Sequence, residues 1–276
     1  MNIDFEDDYD HCHPEPIVFI MAGGMGKRMQ SSIPKVLHHI QEKPMVVRVI
    51  QTALKLDPPP QKIVLIVGKY RDMIDSTIRL HLSTETMDRI EFAIQHEALG
   101  TGHAIQTACS HLFATPKRGH IAKAPVLILS GDTPLISTEI LNDMLHRSYE
   151  QDLENPILLT IEYDDPAGYG RIIRDQSTDS FHSIREEKDC DHEQRSIREV
   201  NTGIYCVESG MLTDYIYRIS PMNSQKEYYL TDIFGLMKKD GVEMECAVMD
   251  EDRAYEVYGV NTKKQLETLN MLMTMK

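Results

Sequence analysis

A five-residue apolar run that empties into a glycine loop constrains this chain more than any other stretch. Ile17-Val-Phe-Ile-Met21 is too short for a helix and reads as a buried parallel strand. Ala22-Gly-Gly-Met-Gly-Lys-Arg-Met29 follows at once, and Pro34-Lys35 soon after. Three glycines in four positions forbid a regular element and bring bare backbone N–H groups together, as in loops that wrap an anion. Lys27, Arg28 and Lys35 add positive charge here, in a chain whose formal net charge is −14. Basic residues gathered at a glycine loop in an acidic protein point to a phosphate-bearing ligand.

Spacing excludes the two commonest phosphate loops. A dinucleotide fingerprint, G-x-G-x-x-G, started at Gly24 and Gly26 would need its third glycine at Met29. A G-x-x-x-x-G-K-[ST] loop ending in Gly26-Lys27 would need glycine at Met21 and a hydroxyl residue at Arg28. A dehydrogenase is thereby disfavoured.

Beyond the loop, strand and helix alternate, which implies a parallel sheet with right-handed crossovers. Apolar residues at helical spacing run from Pro44 to Leu56, and Asp57-Pro-Pro-Pro60 stops them. Lys62 to Val67 reads as a strand, a helix extends to about Leu82, and Ile90 to Ile94 is a third strand. A further helix is expected from about Ala104, and Val126 to Leu129 is the next strand. From Asn155 the pattern changes. Pro156 to Tyr163 is a strand, and alternating stretches near 180–187 and 197–207 predict antiparallel ribbons forming a small second lobe. Helices are expected near 209–219 and 229–238, a strand near 242–248, and a terminal helix carrying Leu266, Leu269 and Leu272. Residues 1–16 read as a mobile tail, 17–261 as one domain, and 262–276 as a helix packed on it.

Ligands of open α/β sheets bind beyond the carboxyl ends of the strands. Gln95-His-Glu-Ala-Leu-Gly-Thr-Gly-His103 leaves the third strand and should face the glycine loop. The Gln95 amide, donor and acceptor together, can match the N3–H and O4 of uracil, while Gly100 and Gly102 would let backbone approach a planar base. His103 reads as an exposed histidine near a helix start. Asp132 follows Gly131 at the end of a strand, a place suited to a hard cation such as Mg²⁺ and equally to a plain turn residue. His11-Cys12-His13 lacks zinc-ligand spacing and reads as tail.

Composition removes several classes. Hydrophobic content of 41% beside 26% charged residues is globular rather than disordered. The acidic balance argues against nucleic acid or an anionic membrane as the main partner. Five cysteines at 12, 109, 190, 206 and 246 form no C-x-x-C pair and read as reduced cytoplasmic thiols.

The ordered segments AGGMGKRM, PKVLH, QHEALGTGHA, GDTPLI, GYGRI, REEKD, EVNTGIY, EYYLTDI and GVN together resemble the sugar-nucleotide pyrophosphorylases. Within that group they are most similar to the uridylyltransferase domain of the bifunctional bacterial N-acetylglucosamine-1-phosphate uridyltransferases. The resemblance covers about 17–261 and departs at Met21-Ala-Gly-Gly24, at Ser130 where the family has tyrosine before Gly-Asp, and in the extra residues 1–16. It implies an α/β, Rossmann-like, mostly parallel sheet flanked by helices, with a small antiparallel sugar-binding lobe. It implies that Ala22, Gly23 and Gly24 contact the nucleoside and that Arg28 and Lys35 act on the phosphates. Gln95 and Gly100 would read uracil with Thr101 beside them, Gly170, Glu186, Asn201 and Thr202 would hold the amino sugar, and Asp132 and Asn261 would hold Mg²⁺. The Glu186-Glu187 pair leaves the sugar assignment ambiguous by one position, and the spacing to Lys188-Asp189 favours Glu186.

The implied reaction joins UTP and N-acetylglucosamine-1-phosphate into UDP-N-acetylglucosamine and pyrophosphate. Its rivals are another sugar-1-phosphate nucleotidyltransferase, using glucose-1-phosphate or a different triphosphate, and a non-catalytic nucleotide-binding regulator of the same fold. The family's bifunctional members continue into a hexapeptide-repeat β-helix, and no such repeat is present here. The expectation is therefore a cytoplasmic monomer or small homo-oligomer that transfers no acetyl group.

Overall fold

The structure, a computed structural model, describes residues 13–113 and 123–275. Its first half comprises β1 (Ile17–Met21), the short hairpin β2 (His39–Ile40) and β3 (Lys43–Pro44), α1 (Met45–Ala53), β4 (Lys62–Val67), α2 (Arg71–Arg79), the single turn α3 (Thr84–Met87), β5 (Ile90–Ile94), α4 (Thr101–Phe113) and β6 (Pro125–Ser130). Then follow α5 (Thr138–Glu150), β7 (Ile157–Glu162), β8 (Arg171–Arg174), β9 (Phe181–Arg185), β10 (Glu199–Glu208), α6 (Ser209–Ile216), α7 (Asp232–Lys239), β11 (Glu245–Met249) and α8 (Lys263–Met275).

Strand alternation splits the interior into two cores. Val18 and Ile20 of β1 point to one face of the sheet, where α1, α2 and α5 bury Val49, Ile50, Ile78 and Leu141. Ile17 and Phe19 point to the other, against Ile105 of α4, Leu212 of α6 and Phe234 of α7. With helices on both faces, every central strand must be apolar on both sides, which is why β1 and β4 read as unbroken runs.

The sheet order is β11-β7-β10-β6-β1-β4-β5. β1 pairs in parallel with both β4 and β6, and β4 in parallel with β5. The chain leaves β1 toward β4 on one side and returns to β6 on the other, so the crevice between β1 and β6 is a topological switch point. β10 runs antiparallel to β6 and β7, while β11 is parallel to β7.

The small antiparallel lobe is continuous with the main sheet. The ribbon of β8 and β9 joins the main sheet through Val200 of β10, which pairs with Arg171. β10 is long enough to lie between β6 and β7 with its second half and to carry the ribbon with its first. A bulge between Asn201 and Tyr205, with Gly203 at φ 79°, bends it there.

Three expectations shift. α4 starts at Thr101 rather than near Ala104, because the Gly102 N–H is satisfied from outside by the Tyr228 carbonyl, 2.7 Å away. On α8 the inward face is Leu266, Leu269 and Met273, while Leu272 is exposed. Of the tail expected over 1–16, residues 1–12, with His11 and Cys12, lie outside the described residues. His13 stacks on Tyr149, whose hydroxyl donates to the Pro14 carbonyl, and Gln61 donates to the carbonyls of Glu15 and Pro16.

Candidate active site

The carboxyl ends of β1, β4, β5 and β6 open onto one cavity of about 370 Å³. Gly23, Gly24, Lys35, Gln95, Gly100, Thr101 and Asp132 line it, seven of the residues singled out from sequence, together with Ser130, Ala98 and Glu227. Backbone bonds fix its floor: Ala22 N–H donates to the Ile66 carbonyl at 2.8 Å, and Gly131 N–H to the Met21 carbonyl at 2.9 Å. A side chain on Gly24 would meet nothing within 4 Å, so that peptide faces open space. Gly26 sits at φ 68°, and a Cβ there would stand 2.7 Å from the Cβ of Lys35. The loop therefore interlocks with the Lys35 stem, which no larger residue at 26 would allow.

Gly100 and Gly102 have a different reason from the one read in the sequence. A Cβ on Gly100, at φ 117°, would stand 2.5 Å from the Tyr228 carbonyl oxygen, and one on Gly102 would strike Ile219. Both glycines let the segment around Tyr228 close on the loop. Tyr228 N–H donates to the Leu99 carbonyl at 2.8 Å, and Leu230 N–H to the Thr101 hydroxyl at 3.0 Å. Gly100 still lines the cavity, whereas Gly102 is buried.

At the β6 end the Lys35 ammonium is bonded to the Asp132 carboxylate and donates to the Asn261 carbonyl oxygen at 2.9 Å. Ser130 donates to the other Asp132 oxygen at 2.6 Å, a short charge-assisted bond that orients the carboxylate. Asn261 is brought across the molecule by the Val260 N–H bond to the Asp132 carbonyl and by the burial of Val260 with Met29, Ile40, Met45 and Leu269. The cap of α8 holds it: Gln265 N–H donates to the Thr262 hydroxyl, and the Gln265 side-chain oxygen accepts from Asn261 N–H at 2.8 Å. A carboxylate and a neutral amide oxygen already converge on a cation, the ammonium of Lys35. That oxygen-only donor pair fits a divalent cation that keeps most of its waters, although among the described residues no three His, Cys, Asp or Glu converge as a metal site.

The residues expected at the sugar, Gly170, Glu186, Asn201 and Thr202, do not line this cavity and make their own bonds. Asn201 N–H donates to the Gly170 carbonyl, its side-chain nitrogen to the Tyr205 hydroxyl at 2.7 Å, and its oxygen accepts from Gly203 N–H. The Thr202 hydroxyl donates to the Leu159 carbonyl at 2.7 Å. Glu186 accepts from the Thr231 hydroxyl at 2.8 Å. Burial pushes the Glu186 carboxyl above its usual range; the Thr231 bond opposes this, and the charges of Asp232, Asp189 and Glu227 add to it. Neighbouring Glu187 instead pairs with the buried Arg171 at 2.8 Å, which separates the two adjacent glutamates by role. Arg28 is exposed in the turn Lys27–Met29 and does not line the cavity.

A family model described as the MobA-like NTP transferase domain matches residues 18–189, more than half of the chain. The chain belongs to this NTP transferase family. A relative from Acanthamoeba polyphaga mimivirus named "Probable UDP-N-acetylglucosamine pyrophosphorylase" is 38% identical over 252 residues, 91% of this chain and 93% of its own. The bifunctional protein GlmU of Nitrosomonas eutropha is 40% identical over 252 residues, and there the NTP transferase chain spans only half of the relative's length. A solved UDP-glucose pyrophosphorylase in complex with UDP-glucose shares the fold at a TM-score of 0.70, with 16% identity over 95% of this chain and 99% of that one. Among the described residues of this transferase no helix is long and apolar enough to cross a membrane.

Sequence reasoning missed three features of this NTP transferase. Glu227 lines the cavity, and its segment Glu227-Tyr-Tyr-Leu-Thr-Asp232 was visible as a motif without a role. Ser130 was visible only as a departure from the family. His103 is not free at a helix start: its Nδ1 lies 3.0 Å from the Gln95 side-chain nitrogen. Nothing but the eight-residue spacing, two turns of loop and helix apart, could have paired them.

Proposed function

We propose that this chain transfers the uridylyl group of UTP to N-acetylglucosamine-1-phosphate, releasing pyrophosphate. The observation that carries the reading is one cavity at the β1/β6 switch, which gathers the glycine loop, Gln95, Lys35 and Asp132, with Asn261 bonded to Lys35. The mimivirus relative, similar over nearly its whole length, supports the choice of substrates.

In this reading the base lies against Gln95 and Gly100, with Thr101 beside it, and the ribose and phosphates run along Ala22, Gly23 and Gly24. A phosphate oxygen of the sugar-1-phosphate attacks the α-phosphorus, and the bond from that phosphorus to the β-phosphate bridging oxygen breaks. The electron pair leaves with pyrophosphate. The nucleophile is already ionised, so no residue need remove a proton, and the task of the site is to align two anions and offset their repulsion. Lys35 serves this at the reacting phosphates, and Arg28, exposed in the turn that follows the glycine loop, neutralises the leaving end. Gly170, Glu186, Asn201 and Thr202 hold the sugar. Asp132 and Asn261 would hold Mg²⁺, which when bound supplies Lewis-acid neutralisation of the phosphate oxygens.

A pyrophosphate-release assay on a panel of nucleoside triphosphates and sugar-1-phosphates tests this. UTP with N-acetylglucosamine-1-phosphate should give the highest kcat/KM. Preference for glucose-1-phosphate, or for another triphosphate, would replace the substrate pair, and no release with any pair would leave a nucleotide-binding regulator.

A further inference from the structure

Gln95 stands at the end of β5, and its side-chain nitrogen lies 3.2 Å from the Gly100 carbonyl oxygen and 3.0 Å from His103 Nδ1. A carbonyl only accepts, so the amide NH₂ must face this pair. The imidazole must then present its lone pair at Nδ1 and carry its proton on Nε2. Both amide hydrogens are thereby used. What remains for the cavity is Oε1, 3.7 Å from the point where a Cβ on Gly23 would stand. An acceptor there matches the N3–H of uracil and opposes cytosine, whose N3 is itself an acceptor. A flipped amide would suit cytosine, but it would set Oε1 against the Gly100 carbonyl, which only accepts, and would require His103 to move its proton from Nε2 to Nδ1. His103 does not line this cavity; it borders a separate groove with Gln106 and Tyr217.

We infer that His103 is a positioning residue for base selection: its Nδ1 lone pair and the Gly100 carbonyl together hold Gln95 with its oxygen toward the base, selecting uracil over cytosine. This inference rests on the nucleotide reading proposed above. It goes beyond it by giving the selectivity to a residue that never touches the base.

The experiment compares kcat/KM for UTP and CTP, at saturating sugar phosphate, in the unmutated chain and in the His103→Ala, His103→Asn and Gln95→Ala variants. Asparagine places Oδ1 where histidine has Nδ1 and keeps an acceptor for Gln95. His103→Ala removes one of two locks, so the UTP:CTP preference should fall about 5- to 50-fold, through KM for the triphosphate rather than kcat. His103→Asn should recover most of the preference. Loss of preference in Gln95→Ala with none in His103→Ala would overturn the inference and leave the nucleotide reading intact. Equal loss in the alanine and asparagine variants would also overturn it, since packing alone would then account for His103. An unchanged preference in Gln95→Ala would overturn both.

Discussion

The two halves of the site prepare for a ligand in opposite ways. In the nucleotide half, strand ends are tied by backbone bonds such as Ala22 to Ile66 and Gly131 to Met21, and the cavity wall is left open at Gly24. In the proposed sugar half, Asn201, Thr202 and Glu186 already hold internal partners, Tyr205, Leu159 and Thr231. The first half sits at the ends of parallel strands, where the side-chain bonds of Gln95, Ser130 and Asp132 leave the space above Gly24 open. Asn201 and Thr202 of the second sit on a bulged antiparallel strand, where side chains replace the ladder bonds that the bulge removes. A ligand entering the nucleotide half fills space, whereas one entering the sugar half must exchange hydrogen bonds. Substitutions should therefore separate function from stability in the first half and mix them in the second.

The largest effect is expected at Asp132. Asp132→Asn keeps the shape but removes the formal charge facing Lys35 and the reacting phosphates. A loss of at least ~10²-fold in kcat is expected, the scale of losing a main transition-state contact, with the melting temperature nearly unmoved. Pyrophosphate release and a thermal melt on the same sample check both, and a near-normal variant would sink the assignment. Gln95→Ala comes next: KM for UTP should rise roughly 5- to 150-fold, the cost of leaving a buried polar partner unmatched, while KM for the sugar phosphate stays put.

Lys35 sharpens the comparison, because within the open half its charge is already engaged, by Asp132, before ligand arrives. Its ammonium lies on the two oxygens proposed to hold a metal ion. A divalent cation and Lys35 therefore compete for one place in the nucleotide-free protein. Lys35→Met should tighten Mn²⁺ binding about 3- to 10-fold, measured by calorimetry without nucleotide. Arg28→Met, which removes an exposed charge away from those oxygens, should leave it unchanged. Equal tightening in both variants would reduce the effect to general electrostatics.

What was legible in the sequence follows the same divide. β1, β4, β5 and β6 are short apolar runs bounded by glycine, proline or polar residues, and such runs announce buried parallel strands. The cavity residues follow from them, because strand ends in such sheets face the ligand. The bulge at 201–205, the closing of Tyr228 on Leu99 and the turn of Glu187 toward Arg171 are non-local pairings without a period. Gly100 shows the cost: the sequence reads it as room for backbone to approach a base, but the partner demanding the missing Cβ is Tyr228, far along the chain.

The smallest effect, and the most direct test of mixed roles, lies at Glu186. Burial raises its carboxyl above the usual range, with the nearby charges of Asp232, Asp189 and Glu227 reinforcing the shift against the Thr231 bond. A carboxyl raised on folding binds more protons in the folded than in the unfolded chain between its ordinary and raised values. Its contribution to stability thus falls as pH rises through that window, and at neutral pH the ionised group destabilises the fold. Glu186→Gln keeps an oxygen for the Thr231 hydroxyl and removes the charge. The variant should melt roughly 1–3 °C higher at neutral pH, the scale of a fraction of a kcal/mol in a chain of this size. The gap should narrow as the pH is lowered into the carboxylate range, where the native group becomes protonated. KM for the sugar phosphate should meanwhile rise a few-fold, about the difference between a charge-assisted and a neutral hydrogen bond to a hydroxyl. A variant that melts lower at neutral pH would show that Glu186 stabilises the fold after all, and a sugar KM that does not move would remove it from the sugar site.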